Sequence, residues 1–283
     1  MPAPDWTLLL RTPAFEATAL LVGLAVGSFA NVCIHRLPRG ESIVSPPSRC
    51  PSCAALIASR DNVPLVGFLL LRGRCRTCRA PISWRYPAVE AANGLLWLGL
   101  AVTRGPTVQA AVMMVFVTGL LVLTLVDLEH QLLPDAITLP GTALGLAASF
   151  LPGSPVRPPE AALTAAGGWL ACALVAFTWK RLRHIDALGQ GDWKMTAMLG
   201  AFLGWERLLL NVLVASTSGA LVGILAVLFR RGGMQSKLPL GTFLGVSGMV
   251  VVFFADEMLV WYREAALSLA QALLAGYRGL FGG

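Results

Sequence analysis

Long apolar runs recur through this 283-residue chain with only short polar gaps between them. A helix needs roughly 20 residues to cross a hydrocarbon core of about 30 Å. Eight runs approach that length: Phe15 to Arg36, Pro87 to Thr103, Thr107 to Val126, Asp135 to Leu151, Ala161 to Trp179, Trp193 to Asn211, Val212 to Phe229 and Leu238 to Trp261. Inside lipid every backbone polar group must be satisfied within the chain, which leaves helices as the spanning element for runs of this kind. With 56% hydrophobic and 13% charged residues and a mean hydropathy of +0.69, the expectation is an all-α integral membrane protein with about eight transmembrane helices. The first run lacks a basic leading segment and a small-residue cleavage site, so it is expected to remain in the mature chain and not to act as a cleaved signal peptide.

Lys and Arg outnumber Asp and Glu by 22 to 15. With the N-terminus outside, the inner segments hold Arg36, Arg39, Arg49, Arg60, Arg72, Arg74, Arg76, Arg79, Arg85, Lys180, Arg181, Arg183, Lys194, Arg230, Arg231 and Lys237. The outer segments keep Arg11, Arg104, Arg157, Arg207, Arg263 and Arg278. The positive-inside bias selects this threading and puts both termini outside. It also accounts for the net charge of +7 without nucleic acid as a partner, for which no binding module is present.

The expected organisation is an N-terminus and first helix over 1–36, a cytoplasmic domain over 37–86, a seven-helix membrane domain over 87–262 and an interfacial amphipathic helix over 263–283. Gly141, Gly145, Gly167 and Gly168 suit close helix packing.

Residues 37–86 contain two CxxC turns, Cys50-Pro-Ser-Cys53 and Cys75-Arg-Thr-Cys78, 21 residues apart. Each turn can present two thiolates, and four close a tetrahedral structural zinc site with no open position. In a reducing cytosol metal is favoured over the alternative of two disulfides. A loop-rich segment this small has little core, so the metal would supply most of its folding free energy. Cys33 and Cys172 fall in apolar runs and read as small buried hydrophobes.

Asp127 ends the third run and Asp192 opens the sixth, both on the inner side. A carboxylate at a membrane boundary is costly unless paired, hydrated or used. Two of them suit hydrolysis. One takes a proton from water while the other, protonated, polarises a carbonyl, and two like charges at close range share a single proton. No cofactor is needed for that step. The bland alternative is a hydrated helix end for Asp127 and a helix N-cap for Asp192. Gly189 and Gly191 are expected to give the supporting loop tight backbone conformations and close approach to a peptide. Lys194 is expected to meet lipid headgroups or the carboxylate.

Among the other acids, Glu129 would point about 200° away from Asp127 around a helix, Asp135 after Pro134 is expected to be a helix N-cap, and Asp186 to sit in a hydrated basic loop. His130 and His184 are expected to face water, since neither has the partners of a nucleophilic triad. Ser28 reads as a packing residue.

Several motifs fall in order along nearly the whole chain: Gly27-Ser28-Phe29-Ala30-Asn31-Val32-Cys33-Ile34-His35-Arg36-Leu37-Pro38, the paired CxxC turns, Arg85-Tyr86-Pro87 with Glu90, Val126-Asp127 through Leu133-Pro134-Asp135, and Gly189 through Lys194. Together they resemble the bacterial prepilin peptidases, the type IV leader peptidase family. The resemblance implies an eight-helix GxGD-type aspartic protease of the inner membrane, with Asp127 and Asp192 at the catalytic positions. Such an enzyme cuts the positively charged leader from type IV prepilins or type II secretion pseudopilins at the cytoplasmic face. It implies further that cleavage follows a glycine, and that the new N-terminal residue, often phenylalanine, is methylated with S-adenosylmethionine by the same enzyme; the zinc domain goes with that bifunctional form. Glu129 departs from the family pattern, standing where many relatives carry an aspartate. No Gly-rich strand-to-helix motif for the methyl donor is visible, so its site is sought between the zinc domain and the first two helices, where Asn31, Arg36, Glu90 and Asn93 are candidates. Asn31 and Asn93 are alternatively helix bridges, and Glu90 a partner of Arg36 or Arg85.

The competing readings are a peptidase without methylation, an ion-coupled carrier using the two carboxylates, and a zinc-stabilised assembly factor without chemistry. The substrate's identity and the oligomeric state are not read from the sequence.

Overall fold

A computed structural model describes residues 13–184, 188–229 and 239–281, without the side chains of 269 and 272–281. Arg11, Asp186, Arg230, Arg231, Lys237, the start of the eighth run at Leu238 and the side chain of Arg278 lie outside the described residues. The described chain is helical: α1 Pro13–Arg36, α2 Val66–Leu70, α3 Arg85–Arg104, α4 Val108–His130, α5 Asp135–Ala148, α6 Pro158–Arg183, α7 Gln190–Leu228 and α8 Leu240–Phe281. Among the described residues β structure is confined to two isolated antiparallel bridges, Arg49 with Leu56 and Arg74 with Pro81.

Local chemistry explains where helices begin and end. Thr107 starts α4 by accepting the Ala110 N–H at 3.0 Å, satisfying a donor that has no partner within the helix. Gln131, in the left-handed region at φ 51°, ends α4, and Pro134 lets α5 begin at once. Pro158 opens α6, whose missing amide proton costs nothing in a first turn. Short linkers join α3 to α4, α4 to α5 and α5 to α6, so each of these helices doubles back on the one before it.

Among the described residues, five helices are long and apolar enough to cross a membrane: Pro13–Arg39, Val108–His130, Pro158–Arg183, Gln190–Leu228 and Leu240–Ser268. That compares with the eight runs expected. α5 has 14 residues, about 21 Å at 1.5 Å per residue.

The sixth and seventh runs differ most from expectation. The chain stays helical through Asn211 and Val212, where a break was expected, and is interrupted at Gly204, φ 72° and ψ −178°. Only glycine adopts that conformation without strain. A Cβ there would meet the Glu160 Oε1 at 2.7 Å, and the Trp205 N–H donates to the same oxygen at 3.4 Å. The limbs 190–203 and 205–228 fold back beside one another, since Leu199 and Asn211 both flank Gly248 of α8. Asn211 is fully buried and donates to the Leu244 carbonyl and to Ser247 Oγ. The polar pair after Gly204 marks the reversal: Glu206 accepts from Arg263 and Arg207 donates to Asp256, both at 2.8 Å. At the C-terminus no break falls near 262. α8 continues to Phe281 as one helix, so over 263–281 the chain extends the last helix where a separate one was expected.

The larger core lies among α4, the first limb of α7 and α8. Leu120, Leu123, Met195, Met198 and Leu199 are essentially fully buried there, and Phe116 stacks on Phe202 with centroids 3.9 Å apart. A smaller core of Ala30, Ile34, Val89 and Val126 joins α1, α3 and α4. Glycine sets the approach distances: a Cβ at Gly27 would meet Glu90 Cα at 2.8 Å, and one at Gly145 would meet Phe202 at 2.8 Å. Gly141 packs against Met198 and Gly168 against Thr196, whereas Gly167 faces open space.

One end of the bundle gathers the end of α4, the starts of α3, α5, α7 and α8, and the 37–84 segment. Arg85 pairs with Glu129 at 2.6 Å, Lys194 with Asp135 at 2.7 Å, and Asp127 meets Thr242.

Candidate active site

Asp127 arrives on the last turn of α4 and is 5% exposed. Its Oδ2 accepts the Thr242 backbone N–H at 2.6 Å and the Thr242 hydroxyl at 3.0 Å. Thr242 lies in the first turn of α8, where backbone N–H groups have no partner within the helix and the dipole favours negative charge. Asp192 lies in the first turn of α7 and serves its own helix in the same way: its Oδ2 accepts the Gly189 N–H and its N–H returns to the Gly189 carbonyl, both at 3.1 Å. Both aspartates line one cleft of about 320 Å³, together with Gln131, Leu132, Leu133, Asp135, Gly189, Gln190 and Gly191. Two carboxylates from distant parts of the chain, each held by a helix N-terminus, therefore open on a common space at the polar end of the bundle.

The glycines act by clearance. Gly189 has φ −73°, an extended conformation open to any residue, so the tight backbone expected there is absent. Gly191 matters because a Cβ would meet Leu133 Cβ at 2.8 Å. Lys194 turns to Asp135, donating to both carboxylate oxygens at 2.7 Å. Asp135 is the first residue of α5 and makes no cap; the cap position is Pro134. Its carboxylate joins the start of α5 to the start of α7. Glu129 points away from the cleft to Arg85, as its spacing required, and His130 and His184 are exposed.

Gly241 and Thr242 escaped the sequence reading. A Cβ at Gly241 would meet Asp127 Cγ at 3.0 Å and Leu133 Cδ1 at 2.9 Å. The only signal was a Gly-Thr pair at the start of an apolar run, which many membrane helices carry.

The four sulfurs of Cys50, Cys53, Cys75 and Cys78 lie within 4.8 Å of one another, and none is in a disulfide. The two turns repeat each other. Cys50 accepts from the Ala54 N–H and donates to the Ala55 carbonyl, both at 2.9 Å; Cys75 accepts from Arg79 at 3.1 Å and donates to Ala80 at 2.9 Å. Ala54 and Arg79 both have φ near +60°. Backbone N–H groups of Cys78 and Thr77 aim at the Cys75 sulfur and lower its thiol to about 6, and those of Cys53 and Ser52 lower Cys50. A tetrahedral ion with metal–sulfur bonds of about 2.3 Å needs sulfurs some 3.8 Å apart, and Cys50 and Cys78 stand 3.8 Å apart. The set fits a closed zinc site. Cys33 is buried and Cys172 donates to Thr196 Oγ1 at 3.5 Å, both away from the cluster.

The four methyl-transfer candidates are engaged in joining parts of the chain. Arg36 donates to the Ser42 and Pro46 carbonyls at 2.9 and 2.6 Å. Glu90 accepts the Leu65 N–H at 2.8 Å, in place of the arginine partner expected. Asn93, fully buried, donates to the Gly23 carbonyl at 2.7 Å and accepts from Thr118 at 2.8 Å. Asn31 donates to the Tyr86 carbonyl at 3.1 Å, and its Oδ1 is buried without a partner. As arranged, these side chains tie α1 to α3 and to the 37–84 segment, and they do not form a donor set fitted to S-adenosylmethionine.

Comparison with known proteins bears on both regions. A model of the bacterial peptidase A24 N-terminal domain matches residues 21–104, and one of the type IV leader peptidase family matches 114–224. The chain is 37% identical over 276 residues to a protein of Pseudomonas putida, covering 89% of this chain and 96% of the relative. It is 35% identical over 289 residues to one of Pseudomonas aeruginosa, covering 94% and 99%. A Myxococcus xanthus protein is 43% identical over 216 residues, covering 76% of this chain and 64% of the relative. All three carry the name prepilin leader peptidase/N-methyltransferase. No solved structure matches. The first family model holds all four cysteines and the second both aspartates, and on these matches the chain belongs to the type IV leader peptidase family.

Proposed function

We propose that the protein is a membrane aspartic endopeptidase that removes the leader of type IV prepilins or type II secretion pseudopilins and then N-methylates the new terminus. The observation that carries the reading is that Asp127 and Asp192 line one cleft at the polar end of the bundle. On this reading the ionised carboxylate takes a proton from water and the resulting hydroxide attacks the scissile carbonyl carbon. The protonated carboxyl meanwhile donates to the carbonyl oxygen. The carbon–nitrogen bond then breaks, with a proton passing to the leaving amine. Thr242 orients Asp127 through its two hydrogen bonds, and Gly189 orients Asp192. Lys194 and Asp135 hold together the two helix starts that frame the cleft.

The four-cysteine segment, 37–86, is a zinc domain on this reading, with zinc as scaffold. S-adenosylmethionine would be the methyl donor, a role supported by the relatives' names, although Asn31, Arg36, Glu90 and Asn93 do not fit it as arranged. The excess of Lys and Arg at the aspartate end supports placing the cleft and the zinc domain on the cytoplasmic side of the bacterial inner membrane, with the termini on the far side.

The test is leader cleavage by detergent-purified protein, by Asp127→Asn and by Asp192→Asn. Each substitution is expected to lower the rate by about 10²–10⁴-fold, and parental activity in either sinks the reading. A radiolabelled methyl donor in the same reaction separates the bifunctional enzyme from a peptidase alone. Proton-coupled transport in liposomes without cleavage would favour a carrier.

A further inference from the structure

Among the described residues, nothing covers one apolar face of α2. Val66, Leu69 and Leu70, at positions i, i+3 and i+4, are 48%, 68% and 73% exposed. The opposite face is packed, with Gly67 backing onto the Asp61 carbonyl and the Phe68 ring lying 4.7 Å from that of Trp84. Trp84 is itself 74% exposed. The depth of this patch is set by a hydrogen bond: Leu65, just before α2, donates to Glu90 Oε2 at 2.8 Å. Glu90 is in the second turn of α3, about 8 Å along its axis from Arg85. The apolar face of α2 therefore sits level with the first turns of α3, at the polar end of the bundle. Arg72 and Arg74 follow directly and are exposed. Arg85, next to Trp84, pairs with Glu129 in the last turn of α4, so the patch lies at the same end of the bundle as the aspartate cleft.

An amphipathic element with aliphatic anchors, a tryptophan and adjacent arginines matches the boundary of an anionic bilayer, where tryptophan is enriched and basic side chains meet acidic headgroups. We propose that α2 and Trp84 enter the bilayer face at the aspartate end, while Arg72 and Arg74 engage anionic headgroups. The four-cysteine segment is thereby held flat against the membrane at the aspartate end of the bundle. The occupant of the patch is the host lipid. This inference requires that the bundle crosses a bilayer and is independent of the peptidase reading.

The experiment uses full-length protein in nanodiscs containing phosphatidylglycerol, with Leu70 replaced by photoreactive p-benzoylphenylalanine. Irradiation is expected to give phospholipid adducts by mass spectrometry, and to give fewer in discs of phosphatidylcholine alone and with Arg72→Glu and Arg74→Glu together. Parental elution and metal content serve to confirm that each variant is folded. Absence of lipid adducts in folded protein overturns the proposal, as do adducts found only with a second copy of the chain. Adduct yields indifferent to both arginines overturn its headgroup half.

Discussion

The four-cysteine segment and the aspartate cleft both aim backbone N–H groups at side chains that work as anions, over very different lengths of chain. Cys75 draws on Cys78 and Thr77, its near neighbours, and Cys50 on Cys53 and Ser52. Asp127 draws on Thr242, 115 residues away. The first arrangement is a property of a turn and forms wherever that turn forms. The second exists only once α4, α5, α7 and α8 have packed, so it inherits every tolerance of the bundle. A local site depends on its ligands, whereas an assembled site depends on clearances as well.

This contrast can be broken experimentally. The largest effect is expected from removing metal from the four-cysteine segment. Structural zinc sites carry about 10 kcal/mol or more of apparent binding free energy, so chelation or Cys50→Ser with Cys75→Ser should make residues 40–83 protease-sensitive. Hydrogen exchange at α4 and α8 should stay unchanged; melting of both regions together would show that the two sites are not independent.

The cleft should instead respond to a single methyl group. Gly241→Ala is expected to cost about 1–3 kcal/mol through overpacking against Asp127 and Leu133, read as roughly 10–100-fold slower leader cleavage with metal content unchanged. A parental rate would show that the approach of α8 to Asp127 is not tight.

A smaller effect belongs to Thr242. Removing its hydroxyl in Thr242→Val leaves the backbone N–H in place and should lower kcat by about tenfold, a hydrogen bond to a charged group being worth about 1.5 kcal/mol or more. KM should hold and Thr242→Ser should restore the rate. Failure of serine to rescue would assign the loss to packing.

Lys194→Ala should matter least. Its pair with Asp135 is partly exposed, and exposed ion pairs contribute about 0–1 kcal/mol, so a few-fold loss is the most expected. A loss approaching that of Asp192→Asn would move Lys194 from a tether into the chemistry.

The four-cysteine cluster was legible in the sequence because two CxxC turns carry their geometry in four residues each. The aspartates were legible because charge is rare in apolar runs. The reversal at Gly204 was not, since glycine is common throughout this chain and only its contact with Glu160 distinguishes this one. Asp135 was read from Pro134 as a cap, whereas a lysine 59 residues away claims its carboxylate. Glu90, read as a methyl-transfer candidate or else an arginine partner, instead holds the Leu65 N–H, because opposite charge is visible in a sequence and an unpaired loop N–H is not.

What the amino-acid order determined by itself was the solvent, the helical class, the four-sulfur cluster and the two acids worth watching, since each follows from composition or from residues within a few positions of one another. Only the tertiary structure decided that Thr242 and Gly241 shape the acid site, that the sixth and seventh runs turn at Gly204, and that Asn93 ties α1 to α3 while Arg36 and Glu90 hold the 37–84 segment. Those outcomes depend on which backbone donors remain free after packing and on where a single methyl group would collide.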